Sequence, residues 1–416
     1  MEQTRQAAGE KAVLAGLDAA CFTREETASE TSLEELQALL ETAGGECVGT
    51  VLQSRPTPDP HSFVGQGKAE EIRDLVKETG AKLVIFDNDL TPSQIKALES
   101  ITGASVLDRS ALILDIFAQR AKTREGKLQV ELAQYQYYLP RLTVWNETMG
   151  RLGGGIGTRG PGETQLETDK RHIRSRVAKL RQELLEVRQG RGVQRRQRMK
   201  NNVPVVALVG YTNVGKSSLL NALCGEQIFE ADMLFATLDP TARKLVLPSG
   251  LQIILVDTVG FVSRLPHHLV EAFKSTLEEA AFADVIVKVA DAGDAQAADQ
   301  LAVTDEVLGS LDCEGIPQLV VYNKCDTANT VAFDPDILLT SAKTGYGLPA
   351  LLAKLDEVLN HRVRTIEIVL PYDKLALADI LRSRGSVAAE EYREDGVYYR
   401  GTVKIDDLHR FEEFLV

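Results

Sequence analysis

A glycine-bounded loop that carries a lysine and a serine directly follows the apolar run starting at Val203. The residues of this loop are Gly210, Tyr211, Thr212, Asn213, Val214, Gly215, Lys216 and Ser217. Glycines let the backbone turn tightly, so that its N–H groups converge on phosphate oxygens. The lysine can reach the β- and γ-phosphates, the serine hydroxyl can bind Mg²⁺, and a helix N-terminus stabilises the negative charge. The helical pattern SLLNALC follows at once, so the sequence predicts a nucleoside-triphosphate site here.

Two further segments supply groups that suit the γ-phosphate and a metal ion. The first, Asp257, Thr258, Val259 and Gly260, ends the apolar run LQIILV. A carboxylate at a strand end can hold the Mg²⁺ shell through water, and a glycine N–H can bind a γ-phosphate. The second segment, placed to close over the metal, is Phe235, Ala236, Thr237, Leu238 and Asp239. The predicted Mg²⁺ ligands are Ser217, Thr237 and Asp257, and the predicted catalytic residues are Lys216, Thr237 and Gly260.

Two more polar segments come directly after short apolar runs. The run LVVY leads into Asn323, Lys324, Cys325 and Asp326, and the run ILLT leads into Ser341, Ala342 and Lys343. In an open α/β sheet, ligands bind beyond the carboxyl ends of the strands. The sequence therefore predicts that all of these segments line one nucleotide site.

The four motifs GYTNVGKS, DTVG, NKCD and SAK, in this order, resemble the translation-factor class of P-loop GTPases. The resemblance implies that Asp326 pairs with the N1–H and 2-amino groups of guanine. It also implies that Asn323 supports the base edge and that Ala342 offers its N–H to O6. Since adenine presents a different edge to such a carboxylate, we expect GTP to be preferred over ATP.

The residue after the DTVG motif is unusual for an enzyme that hydrolyses GTP readily. Such GTPases often place a water-orienting glutamine here, whereas this chain has Phe261. A phenyl ring can neither orient nor polarise water, so we expect slow turnover until a partner or a rearrangement supplies the missing group. Asn213 corresponds in some similar GTPases to a K⁺ ligand, and an asparagine that only stabilises the loop is the alternative.

The length and composition indicate a multidomain α/β protein. A chain of 416 residues is too long for one compact core. The predicted parts are an N-terminal α/β domain (1–120), a helical hairpin with a glycine-rich loop and a basic helix (121–200), a P-loop GTPase domain (201–364) and a small C-terminal α+β domain (365–416). No apolar run is long enough to span a bilayer, no signal peptide is evident, and the five cysteines are scattered. We expect a cytoplasmic monomer.

Two details of the N-terminal part are predicted from its sequence. Ser32 and Glu35 form a capping-box pattern, which predicts a helix from Ser32 to about Thr42. The stretch Gly65-Gln66-Gly67-Lys68 resembles a fragment of a phosphate loop, but Ala69 stands where a serine or threonine is needed. A turn that leads into a helix explains this stretch adequately.

Two apolar stripes predict a pair of packed helices in the middle of the chain. The first stripe is Leu128, Leu132, Tyr135 and Leu139, and the second is Ile173, Val177, Leu180, Leu184 and Val187. The spacing of four, three and four residues is typical of one face of a helix, so we predict an antiparallel hairpin. Between the two stripes lies a segment with seven glycines from Gly150 to Gly162.

The second of these helices is a basic segment in an acidic protein. From Lys170 to Lys200 there are twelve lysines and arginines against two glutamates, although the whole chain has a net charge of −13. Concentrated positive charge suggests contact with a polyanion, and glycine-rich backbone with arginines can approach phosphates closely. The predicted RNA contacts are Arg151, Gly153, Gly154, Gly155, Arg159, Arg195, Arg196 and Arg198. A flexible linker and a solvated helix face are the alternatives.

Longer segments resemble HflX-type GTPases over nearly the whole chain from about residue 10. They are GGGIGTRGPGETQLETDKR, FATLDPTAR, VGQGKAEEI and DRSALILDIFAQRAKTREGKLQVELAQYQYYLPRL. The resemblance implies a Mg²⁺-dependent GTPase that binds the large (50S) ribosomal subunit, is stimulated by ribosomes and splits or rescues stalled ones. It also implies that the N-terminal and helical parts face ribosomal RNA near the peptidyl-transferase region. The alternatives are a GTP-gated RNA-modifying or RNA-remodelling protein and a signalling GTPase with protein effectors.

Overall fold

A computed structural model describes residues 9–23, 27–142, 165–200, 203–225, 234–235, 240–262, 280–327, 337–359, 363–384 and 386–416. These residues form three β-sheets of four, six and three strands. The chain clusters into two compact units. The first contains the described residues up to Gln189 together with Leu234, Phe235 and Val262, and the second contains the others. The division into four domains stays a prediction.

The first unit contains a parallel four-stranded sheet. Its strands are β1 (Lys11–Ala19), β2 (Glu46–Arg55), β3 (Leu83–Phe86) and β4 (Ser105–Asp108), in the order β2-β1-β3-β4. Its helices are α1 (Glu30–Thr42), α2 (Gln66–Thr79), α3 (Pro92–Thr102) and α4 (Arg109–Arg120). Strands β1 and β3 are buried over most of their length, as expected for a parallel sheet with helices packed on it. The predicted N-terminal α/β fold is confirmed.

The first helix begins at Glu30, two residues earlier than its sequence pattern predicted. Ser29 is the N-cap, because its Oγ accepts from the N–H of Ser32 at 3.1 Å while the Oγ of Ser32 accepts from the N–H of Ser29 at 2.8 Å. The predicted capping box of Ser32 with Glu35 was therefore wrong. Helix α2 begins at Gln66, directly after Gly65, which fits a turn that leads into a helix.

Charged side chains are buried at the carboxyl end of this first sheet. The guanidinium of Arg109 pairs with Asp87 at 2.7 Å and with Glu35 at 2.6 Å, and the side chains of Arg109 and Asp87 are 2% and 0% exposed. Nearby, Asp108 accepts from the hydroxyl of Tyr137 at 2.8 Å and from Arg141 at 2.9 Å. Burial raises the pKa of Asp108, and Arg141 partly offsets this effect. These contacts tie the segment up to Arg141 to the sheet.

Two long helices follow in the chain, α5 (Arg124–Tyr138) and α6 (Gln165–Lys200), with a short 3-10 helix at Leu139–Arg141 after α5. Their apolar stripes pack against each other. The cluster consists of Leu128, Leu132, Leu180 and Leu184, flanked by Tyr135, Val177 and Val187. Arg176 donates two hydrogen bonds to Glu131, each of 2.7 Å.

Among the residues that the structure describes, no helix is long and apolar enough to cross a membrane.

The second unit contains a six-stranded sheet in the order β10-β9-β8-β5-β7-β6, with only β6 antiparallel to its neighbour. The strands are β5 (Val205–Gly210), β6 (Thr241–Val246), β7 (Gln252–Asp257), β8 (Val285–Asp291), β9 (Gln318–Asn323) and β10 (Leu338–Leu339). The helices are α7 (Lys216–Cys224), α8 (Ala297–Ser310) and α9 (Leu348–Leu359). Strands β5, β7 and β9 therefore end at the first residues of three predicted motifs.

The C-terminal part is a small antiparallel sheet with helices. Its strands are β11 (Val363–Leu370), β12 (Ser386–Arg393) and β13 (Gly396–Lys404), in the order β11-β13-β12, and its helices are α10 (Ala376–Arg384) and α11 (Ile405–Leu408). A further 3-10 helix spans Tyr372–Lys374 and another spans Glu412–Phe414. The hairpin between β12 and β13 turns just before Gly396. Ile368, Leu381 and Phe411 are completely buried in its core.

We predict that Arg109→Met strongly destabilises the first unit. The substitution leaves the carboxylate of Asp87 buried without the cation that now faces it, and breaking a buried pair in this way costs about 3–5 kcal/mol. Urea unfolding followed by circular dichroism measures this loss. Asp74→Ala, which breaks the exposed pair between Arg73 and Asp74, is the matched control and should leave the unfolding midpoint unchanged. Equal midpoints for the two variants would contradict the prediction.

Candidate functional site

The loop after β5 has the backbone that its glycines allow. Gly215 has a φ of +87° and Asn213 a φ of +61°, both in the left-handed region. The side chain of Lys216 folds back over the loop, and its Nζ donates to the carbonyl oxygens of Gly210 at 3.1 Å and Tyr211 at 2.7 Å. Burial lowers the pKa of Lys216 to about 8, although the charge of Asp257 opposes this shift. The ammonium is thus held in a dry environment where a phosphate would interact with it strongly.

Two oxygen donors suited to Mg²⁺ meet beside this loop. The hydroxyl of Ser217 donates to Oδ2 of Asp257 at 2.6 Å, and Asp257 is 1% exposed. The neighbouring Thr258 is fixed by a hydrogen bond from its hydroxyl to the carbonyl oxygen of Leu208 at 2.7 Å. Hydroxyl and carboxylate oxygens are the hard ligands that Mg²⁺ prefers, so the residues present fit this ion.

The end of the DTVG motif is paired with the phosphate loop through the backbone. The N–H of Phe261 donates to the carbonyl oxygen of Gly210 at 3.0 Å, and the N–H of Thr212 donates to the carbonyl oxygen of Phe261 at 2.7 Å. Gly260 lies so close that an added Cβ would be 2.8 Å from Cα of Thr212 and 3.0 Å from Nζ of Lys216. Only glycine allows this approach. The side chain of Phe261 is 3% exposed, so its ring is part of the core.

The base-recognition motifs meet around Asn323. Its Nδ2 donates to the carbonyl oxygen of Val214 at 3.0 Å, and its Oδ1 accepts from the N–H of Ala342 at 3.1 Å. The hydroxyl of Ser341 donates to Asp326 at 2.7 Å, and this hydrogen bond holds the pKa of Asp326 below its usual range. The carboxylate is therefore ionised at neutral pH, as it must be to accept two hydrogen bonds from guanine.

The structure thus brings together most of the predicted nucleotide site. In the second unit it groups Gly210, Tyr211, Thr212, Asn213, Val214, Gly215, Lys216, Ser217, Asp257, Thr258, Val259, Gly260, Asn323, Lys324, Cys325, Asp326, Ser341, Ala342 and Lys343. Ala236, Thr237, Leu238 and Asp239 lie outside the described residues, so their roles stay predictions. The sequence reasoning missed Asp291, which ends β8 and pairs with Lys324 at 2.9 Å. The signal was an acidic residue directly after the apolar run VIVKVA.

Phe235 was predicted to line the nucleotide site. In the structure it belongs to the first unit and packs against a side chain of that unit. Its ring is 2% exposed and packs edge-to-face on Phe117 of α4, with ring centroids 4.7 Å apart. The N–H of Leu234 donates to the hydroxyl of Thr42 at 3.2 Å. The side chain of Phe235 is therefore an apolar anchor, and its role in nucleotide binding stays a prediction.

The predicted RNA contacts fall mostly on undescribed side chains. Arg151, Gly153, Gly154, Gly155 and Arg159 lie outside the described residues. Arg195, Arg196 and Arg198 are on α6, where the structure describes the helix but not these side chains. Earlier on the same helix, Arg171, Arg174 and Arg181 are exposed. The spacing of three and seven residues places them on one face of α6.

Comparison with known proteins identifies the family. Residues 30–118 match the family described as GTP-binding GTPase N-terminal, residues 120–198 match GTP-binding GTPase Middle Region, and residues 205–324 match 50S ribosome-binding GTPase. GTPase HflX of Caldanaerobacter subterraneus is 46% identical over 389 residues, covering 93% of this chain and 91% of the relative. The chain belongs to the HflX GTPase family. It is a GTP hydrolase with a P-loop GTPase domain.

A second relative supports the same assignment. GTPase HflX of Escherichia coli is 42% identical over 402 residues, which is 94% of this chain and 93% of the relative. Among solved structures, a GTP-binding protein from Sulfolobus solfataricus in complex with GDP is 24% identical and covers 84% of this chain and 99% of its own, with a TM-score of 0.44. That structural likeness is too low to bear on the details of the site.

We predict that Gly215→Ala abolishes nucleotide binding while Gly225→Ala preserves it. Both glycines have a positive φ, of +87° and +68°, so both alanines pay the left-handed penalty of about 1–2 kcal/mol. At Gly215 the added Cβ would collide with the Nδ2 of Asn323, whereas no atom of the described residues lies within 4 Å of a Cβ added to Gly225. Titration with a fluorescent GDP analogue compares the variants. Similar affinities for the two would show that the contact with Asn323 is unimportant.

Proposed function

We propose that this HflX GTPase, in its GTP form, binds the large (50S) ribosomal subunit and its ribosomal RNA. The subunit stimulates hydrolysis, and the cycle splits or rescues stalled ribosomes. The observation that carries this proposal is the match of residues 205–324 to a family described as 50S ribosome-binding GTPases. Since ribosomes are its partner, we place the protein in the cytoplasm, where it acts as a monomer.

The exposed face of α6 supports a polyanionic partner. Its apolar stripe is buried against α5, which leaves Arg171, Arg174 and Arg181 facing solvent on a protein that is acidic overall. An acidic protein is repelled by RNA at long range, so attraction must come from a local concentration of positive charge. Contacts of this kind to phosphates position a protein without reading sequence. Such contacts suit a folded RNA, which the protein would recognise by its shape and not by its base sequence.

For the hydrolysis itself, we propose that Lys216 and the N–H of Gly260 stabilise the charge on the γ-phosphate. Ser217 and Asp257, with Thr237, hold Mg²⁺, which neutralises developing charge on the phosphates when it is bound. Asp326 selects guanine. Phe261 leaves the attacking water without an orienting amide, so the basal rate is slow. The group that completes the site comes with the ribosomal partner or with a rearrangement that the partner causes.

We also propose that Asn213 is a ligand of K⁺ at the phosphate loop. Its side chain is exposed and its backbone is left-handed, so the residue lies at the outer curve of the phosphate loop. We predict that turnover is several-fold faster in KCl than in NaCl at equal ionic strength, and that Asn213→Ala removes the difference. Steady-state phosphate release measures this effect. If wild-type turnover is the same in both salts, Asn213 only stabilises the loop.

The ribosome proposal predicts that purified large subunits strongly stimulate GTP turnover of the wild type. Replacing Gly153-Gly154-Gly155 by alanines should remove this stimulation, and Arg174→Glu with Arg181→Glu should weaken it by at least tenfold. The reason is that each lost phosphate contact removes part of the counterion-release free energy. Phosphate release with and without subunits, and binding measured at increasing KCl, are the readouts.

A matched control separates a local effect from one of net charge. Lys77→Glu with Lys96→Glu makes the same change of charge at exposed positions on α2 and α3. This control should retain stimulation. Equal turnover with and without subunits would contradict the ribosome proposal and favour a signalling GTPase. Stimulation by short RNA alone, without subunits, would favour an RNA-remodelling protein.

A further inference from the structure

We propose that Asp291 is a positioning residue for the guanine site. It holds the ammonium of Lys324 away from Asp326, so that the carboxylate of Asp326 stays available to the base. The proposal rests on the assignment of Asp326 to guanine made above. Asp291 belongs to none of the four nucleotide motifs, so its role follows from its position in the sheet.

The strand order places Asp291 between the two halves of the nucleotide site. Strand β8 lies between β5, which leads into the phosphate loop, and β9, which leads into the base-recognition motif. Asp291 ends β8 directly beside Asn323, the last residue of β9. The N–H of Ala292 donates to the carbonyl oxygen of Asn323 at 2.8 Å, which fixes this alignment. A carboxylate at this point therefore borders both halves of the site.

Both oxygens of Asp291 have partners. Oδ1 accepts from the N–H of Gly293 at 2.9 Å, which fixes the orientation of the carboxylate. Oδ2 pairs with Nζ of Lys324, also at 2.9 Å. Because the first bond orients the carboxylate, the second sets where the long lysine side chain ends.

The backbone of Lys324 is constrained as well. Its φ is +60°, which is rare for a residue with a side chain, and its carbonyl oxygen accepts from both the N–H and the hydroxyl of Thr327. Its Cε would lie 4.0 Å from a Cβ added to Gly215, so the hydrocarbon chain runs beside the phosphate loop. The backbone and the ammonium of Lys324 are therefore both held, with its hydrocarbon chain beside the phosphate loop.

The charge of Lys324 makes its position matter for recognition. The hydrogen bond from Ser341 is the main cause that lowers the pKa of Asp326, and the charges of Lys343 and Lys324 lower it further. Lys324 also lies only two residues before Asp326 in the same loop. A lysine released from Asp291 would be drawn toward the carboxylate of Asp326, which must accept hydrogen bonds from guanine. An ion pair there would compete with the base. Asp291 prevents this competition by providing the lysine with a different carboxylate.

The pair between Asp291 and Lys324 contributes little to the stability of the fold. A role in nucleotide binding can therefore be measured separately from a role in stability. The side chains of Lys324 and Asp291 are 33% and 19% exposed, and ion pairs in such positions typically contribute less than about 1 kcal/mol. A substitution that breaks the pair should therefore leave folding intact. An effect on nucleotide binding then reports on the site itself.

The test is Asp291→Asn in the full chain. The isosteric amide can still accept from the N–H of Gly293 but no longer carries the charge that holds Lys324. We expect the affinity for GDP to fall on the order of tenfold, a change of about 1.4 kcal/mol. Affinity for IDP, whose base lacks the 2-amino group, should fall less, so the preference for GDP over IDP decreases. With GTP, KM should rise while kcat at saturation stays within about twofold.

Two further variants complete the experiment. In a Lys324→Met background, Asp291→Asn should have no further effect on GDP affinity, because no ammonium remains to be held. Asp305→Asn breaks the pair of Lys288 with Asp305, which is 2.7 Å long and also starts from β8. This control should leave affinity unchanged.

Three outcomes would overturn the proposal. They are unchanged GDP affinity in Asp291→Asn, an unchanged GDP to IDP preference, or an equal loss of affinity in the Lys324→Met background. The assignment of Asp326 to guanine is tested separately, by the preference of the wild type for GDP over IDP. If wild type itself does not prefer GDP over IDP, then Asp326 does not recognise the 2-amino group.

Discussion

One buried amide, that of Asn323, connects the phosphate loop with the base-recognition loop. It donates to Val214 and accepts from Ala342, and the residue is 1% exposed. A buried polar group left without partners costs about 1–3 kcal/mol, so neither loop can move away from this amide freely. This side chain therefore helps to hold the two loops at a fixed separation. Gly215 is required beside it, since any Cβ there would occupy the place of the amide nitrogen.

The sheet makes this connection possible. Strands β5 and β9 are not neighbours, so their loops meet only by reaching across the end of β8. The residue that ends β8 is then enclosed between them, which explains why an acidic side chain there pairs with Lys324. Position in the strand order, more than sequence motif, gives Asp291 its contacts.

The meeting of the predicted motifs at one edge of the sheet could be predicted because each motif lies within a few residues of a strand end. Residue type and local spacing suffice for this kind of inference. The sequence marks Asp291 only as an acidic residue at the end of an apolar run, and its contact with Lys324 depends on the strand order. The contact of Phe235 could not be read from the chain, since its partner Phe117 is distant in sequence. The start of α1 was misplaced because Ser29 and Ser32 are both good caps, and packing decides between them.

Phe261 links the slow basal chemistry to the need for a partner. Its backbone is paired with Gly210 and Thr212, and its ring is in the core. Two backbone hydrogen bonds contribute about 1–3 kcal/mol net, the same size as a typical coupling free energy between two binding sites. A coupling of this size would be enough to release the pairing when a partner binds. A glutamine at this position could orient the attacking water directly, whereas a buried phenylalanine cannot, so the proposed stimulation requires such a change.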